Sequence, residues 1–190
     1  MRRKMIQKMM TDDMTRGHKI SAEPGHWWGF AALPEGMAYP YNGEENPLTL
    51  ICQFHLGEGM VYIFADLEYF FGDLDAESGH LGTWDAHLYK VLYVPTREGL
   101  QVHEIRYADG ESGVPEPIYA DVPDGSACAP KSFGDEIAQD YPGYKVLVEV
   151  EENDEIGLRF YDCGELFFLI RPEDLAARRF ENVVCALYSY

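Results

Sequence analysis

Residues 48–65 read LTLICQFHLGEGMVYIFA, and this stretch decides the fold class. Leu48, Leu50, Cys52, Phe54 and Leu56 alternate with Thr49, Ile51, Gln53 and His55, which is the period of two that a β-strand imposes on its side chains. Gly57-Glu58-Gly59 reads as a short turn and Met60–Ala65 as the returning strand. That reading sets Leu56 opposite Met60, Phe54 opposite Tyr62, and Cys52 opposite Phe64. Ile51, Val61, Ile63 and Ala65 make the second face apolar too, so the hairpin is expected to be covered on both sides and to lie at the centre of the core.

Further strands are expected at His87–Val94, Gly99–Tyr107, Tyr144–Val150, Gly157–Tyr161, Glu165–Ile170 and Asn182–Tyr188. Their spacing is that of consecutive antiparallel strands, not of strand–helix–strand units. Two short helices interrupt them. Ser132 and Asp135 resemble a capping box opening Phe133–Asp140. Pro172 suits a first turn, and Glu173 and Asp174 suit the positive end of a helix running to about Arg179. The reading is therefore α+β: mainly antiparallel β, a single domain over residues 20–190 with a few short helices. Residues 1–19 form a basic N-terminal arm, helical where Met5, Ile6, Met9 and Met10 fall at i, i+4 spacing.

The 190 residues carry 15 Lys+Arg and 33 Asp+Glu. The arm has six basic and two acidic side chains, a net of +4, which leaves nine basic and 31 acidic, a net of −22, for the rest. A body of that sign repels phosphate backbones and anionic lipid and attracts cations and basic proteins. No nucleic acid or membrane partner is expected. The longest apolar runs, Met60–Ala65 and Val183–Tyr188, are six residues, whereas a membrane-crossing helix needs about 20. Cys52, Cys128, Cys163 and Cys185 lie far apart with no C-x-x-C pair, which suits free thiols in a reducing cytoplasm. The basic N-terminus lacks the apolar stretch of a secretory signal.

Signatures of chemistry are sparse. Asp73, Asp75 and Glu77 alternate like the start of a calcium loop, but the position twelve residues from its start is Trp84, not a bidentate Glu. His55, His80 and His87 offer acid–base groups, and Asp85 and His87 would share a strand face. No nucleophile elbow, phosphate loop or zinc spacing accompanies them. No metal or cofactor is expected, and catalytic residues are assigned to none. Two readings remain. In the first, the acidic surface docks a basic protein partner. In the second, Trp27, Trp28, Gln53 and His55 line an aromatic cleft that serves a small-ligand-binding protein or an enzyme.

Three stretches together resemble a known family: GHWWGFAALPEGMAYP (25–40), NPLTLICQFHLGEGMVYIFAD (46–66) and LRFYDCGELFFLIRPEDLAARRFENVVCALYSY (158–190). In this order they are similar to the opening loop, first hairpin and C-terminal strand–helix–strand of the YwqG-like family of uncharacterised bacterial proteins. Trp28, Gly29, Pro34 and Pro40 match its loop and Gln53 its first strand. Asp162 and Gly164 stand as in its G-D-x-G turn, with Tyr161 in place of the first Gly. The resemblance implies a roll-like, mainly antiparallel α+β fold in the cytoplasm, without established catalysis. It also implies, by analogy with relatives found beside toxin and immunity modules, an immunity-type inhibitor. Gly29, Asp162 and Gly164 are then structural turn residues.

Overall fold

A computed structural model of the chain describes residues 14–20, 25–43, 46–67, 80–105, 114, 116–119, 122, 135–151, 155, 157 and 164–189, and of 14–20, 135, 136 and 138 the backbone alone. The elements in chain order are β1 (Met14–Ile20), β2 (His26–Trp27), β3 (Ala32–Pro34), β4 (Thr49–Leu56), β5 (Gly59–Ala65), β6 (Gly82–Thr83), β7 (Tyr89–Val94) and β8 (Leu100–Glu104). There follow α1 (Asp135–Asp140), β9 (Lys145–Glu151), β10 (Gly164–Ile170), α2 (Pro172–Ala176), a 3-10 turn (Phe180–Asn182) and β11 (Val184–Ser189).

The β4–β5 hairpin lies within the middle sheet, of order β2-β4-β5-β7, and every residue of β5 is buried. A continuous apolar strand of this kind needs cover on both faces, and two further sheets supply it. On one side β1-β8-β3 closes a core of Leu33, Leu48, Leu50, Met60, Tyr62, Phe64 and Leu100. On the other side β6-β11-β10-β9 closes a larger core that contains Ile51, Phe54, Ile63, Val148, Leu166, Phe168 and Leu187. Hydrogen bonds stitch the layers. Tyr62 donates to the Ala32 carbonyl in one outer sheet, and Tyr89 donates to the Val183 carbonyl beside the other at 2.9 Å.

The register of the hairpin differs by one residue from the expected one. Leu56 pairs with Gly59, Phe54 with Val61, Gln53 with Tyr62 and Cys52 with Ile63. The turn has two residues, not three. Gly57 has φ +62°, the positive value that the first central position of a type II′ turn requires, and Gly59 belongs to the strand. A Cβ on Gly59 would clash with the Val94 carbonyl oxygen and stand 2.7 Å from the Tyr93 ring, so β7 presses on this position. A bulge between Leu50 and Cys52 then changes the parity, and Leu50 faces one core while Cys52 and Phe54 face the other.

The α+β expectation is overturned. Every strand pair is antiparallel, and α1 and α2 have six and five residues, so among the described residues the chain is mainly β. The capping signals at Pro172, Glu173 and Asp174 are where expected, but α2 stops at Ala176. Arg178 turns left-handed there with φ +57°. The amide of Arg178 bonds the Leu175 carbonyl and that of Arg179 the Asp174 carbonyl, which is the pair of bonds of a Schellman stop. The guanidinium of Arg178 lies 5.1 Å from the Tyr93 ring centre. At the N-terminus, residues 14–19 of the expected arm belong to a strand, β1, paired with β8. The proposed helix over the first dozen residues, the acidic run Asp73–Glu77 and the expected strand 157–161, beyond its first residue, lie outside the described residues.

Candidate functional site

The four residues of the expected aromatic cleft do not converge. Trp27 pairs with Cys52, one position before Gln53, so the period-two rule sends its indole to the opposite face. Trp27 and Trp28 are 7% and 3% exposed and fill the larger core, while Gln53 is fully buried on the other face. His26, Gln53 and Tyr62 form a row across β2, β4 and β5 on the face that looks toward β3. His55 shares that face by register with Met60 and is half-buried, its Nδ1 3.3 Å from the Arg97 guanidinium. The rings that would have walled a cleft are packing material.

Trp28 and Gly29 are both left-handed, with φ +57° and +71°, and this pair swings the chain from the middle sheet into the outer one. Gly29 is required there, since a Cβ would stand 3.0 Å from Pro117. Asp162 lies outside the described residues. Gly164 is buried and is the first residue of β10, opposite Ser189. Of the cysteines, Cys52 and Cys185 are free and buried, and burial pushes both thiols up, so neither is a ready nucleophile. Asp85 and His87 are not on a strand: the Leu88 amide bonds the Asp85 carbonyl and closes a turn before β7. Among the described residues, no three His, Cys, Asp or Glu side chains are grouped to hold a metal, and no helix is long and apolar enough to cross a membrane.

Two features remain on the β6-β11-β10-β9 sheet. The first is a set of carboxylates on its outer face. Glu165 pairs with Glu151 on the adjacent strand, and Glu149 pairs with Phe167, so all three point away from the larger core, at the margin of a third, smaller core that Phe167, Leu169 and Val146 make with Ile137 of α1. Like charges directly opposite across two strands repel. Burial first, and Glu151 second, push the Glu165 carboxyl above its ordinary range. Alternation predicts this face from VLVEVE and GELFFL once the two strands are known to pair. The pairing itself was the missing information.

The second is a cleft of about 260 Å³ at the β6 edge, lined by His80, Thr83, Trp84, Asp85 and Leu88. Trp84 and Leu88 are buried, while His80, Thr83 and Asp85 are exposed. The cleft is held from two sides. The Trp84 indole donates to the His80 carbonyl at 2.8 Å, and the Trp84 amide bonds the Cys185 carbonyl at 2.9 Å. Thr83 shares a hydrogen bond with Tyr141. Sequence reasoning weighed His80 and Asp85 but passed over Trp84. The signal available was an indole between an imidazole and a carboxylate within six residues.

Residues 112–188 match a domain of unknown function, DUF1963. The match takes in α1, β9, β10, α2 and most of β11, and does not reach the central hairpin. No curated protein matches the chain.

Proposed function

We propose that the chain is a non-enzymatic protein-binding module of the bacterial cytoplasm, YwqG-like in family, whose acidic surface docks a basic partner in the manner of an immunity-type inhibitor. The observation that carries this reading is the opposition of Glu151 and Glu165 on the outer face of the β9–β10 pair. Two carboxylates facing each other cost the isolated fold stability that a Lys or Arg would restore. The surrounding charge of −22 over residues 20–190 steers such a partner toward the face. The immunity role rests on the resemblance of the opening loop, hairpin and C-terminal segment.

The test is a pull-down from the native host with the tagged chain at low and at high salt, repeated with Glu149, Glu151 and Glu165 changed together to Gln. A partner of basic composition should be retained at low salt, released at high salt and lost with the triple variant. Absence of any retained protein at low salt, or equal retention by the triple variant, refutes the reading.

A further inference from the structure

We infer that the cleft lined by His80, Thr83, Trp84, Asp85 and Leu88 receives an arginine side chain of the basic partner; the inference rests on the docking reading and adds a specific socket to it.

Size is the first argument. At about 260 Å³ the cleft falls below the roughly 300–1,000 Å³ of sites that enclose whole small molecules. It suits one long side chain. Chemistry is the second. Trp84 and Leu88 give an apolar wall, and Asp85 supplies a carboxylate on the exposed rim. A flat guanidinium uses both surfaces at once, stacking on an indole while it hydrogen-bonds to the carboxylate, whereas a lysine ammonium uses chiefly the charge. The wall is also fixed in advance. The Trp84 indole is tied to the His80 carbonyl and the backbone at Trp84 to β11, so little ordering is left for binding to impose.

Position is the third. Thr83 pairs with Ala186, Ala186 with Phe167, and Phe167 with Glu149. One wall residue of the cleft and one of the outer carboxylates are thus the two ends of a single row across four strands. Three strand spacings separate them, roughly 14 Å. The middle of that row is covered, since Ala186 and Phe167 are buried and Phe167 packs with Ile137 of α1 beside Tyr141 and Tyr144, so a partner that seats one basic residue in the cleft passes around α1 to bring a second to the carboxylates.

The test uses the full chain and Nα-acetylarginine amide, with its neutral isostere Nα-acetylcitrulline amide as control. The indole N–H resonance of Trp84, assigned by Trp84→Phe, is followed by NMR at low salt, with Trp27 and Trp28 as internal references. Saturable movement of Trp84 alone, absent with the citrulline compound and weakened about tenfold or more in Asp85→Asn, is expected for loss of a charge-assisted hydrogen bond. No movement of Trp84 at saturating probe, or equal affinity in Asp85→Asn, overturns the socket. The pull-down separates this failure from the larger one. A partner retained equally by wild type and Asp85→Asn refutes the cleft and leaves the docking reading standing, whereas no partner at all refutes the reading itself.

Discussion

Replacing Glu165 by Gln should make the isolated protein more stable near neutral pH and leave it unchanged in acid. Glu165 and Glu151 are directly opposed on β10 and β9, where Cβ atoms stand about 5 Å apart and a like-charged pair costs about 0.2–1 kcal/mol. The Glu165 carboxyl is raised by burial and then by Glu151, so the folded state holds its proton more tightly than the unfolded state does. The sign follows from linkage. Such a group favours folding below its unfolded pKa and loses that contribution as pH rises through its folded pKa. At about pH 7 the ionised group is a net cost, and Gln removes it. Near pH 3 both states are protonated and Gln changes little. Urea melts at the two pH values, at low ionic strength, give the comparison. Glu151→Gln should produce a smaller gain, since it ends the repulsion but leaves the burial of Glu165, and the double variant should gain less than the sum, because removing either charge ends the repulsion. A loss of stability at neutral pH, an equal gain at both pH values, or simple additivity would refute the reasoning. If the docking reading is right, the same substitution that stabilises the free protein weakens its hold on the partner.

Phe54 is 1% exposed in the larger core, and Phe54→Ala should cost about 3–5 kcal/mol in denaturant melts; a cost below about 1 kcal/mol would mean that the site collapses or is not packed. Gly59→Ala forces a methyl against the Val94 carbonyl and the Tyr93 ring and should destabilise by at least about 1 kcal/mol, where an exposed strand glycine would gain. Asp174 accepts hydrogen bonds from Asn182 at 2.9 Å and Arg179 at 2.7 Å, which hold its carboxyl below the ordinary range. Asp174→Ala should therefore lower Tm at neutral pH, with the difference shrinking as pH falls through that lowered pKa; a pH-independent loss would point to packing instead.

The hairpin was legible because two strands of alternating apolar residues around a glycine turn leave few alternatives. Its register was not. Gly57 and Gly59 look alike locally, and what distinguishes them is β7 lying alongside Gly59 in the sheet, a contact more than thirty residues away in the chain. The bulge at Ile51 is similarly silent, since both parities bury apolar side chains. Helix starts were legible at Pro172 and Glu173, whereas their lengths were set by a left-handed Arg178 that carries no glycine signal. Trp27 and Trp28 announced themselves as large aromatics, but which face they fill depends on pairing Trp27 with Cys52 and not Gln53. The cleft depends on β11 anchoring Trp84, and nothing near residues 80–88 encodes that.

The middle sheet owes half its cover to strands that come late in the chain. β6 is completed only by β11, a hundred residues downstream, and the core over Phe54 and Ile63 is closed by β9, β10 and β11. On a ribosome adding about 5–20 residues per second, the finished hairpin waits on the order of ten seconds for that cover. Through that interval it presents an apolar sheet face to everything nearby, the kind of surface that chaperones cover during synthesis.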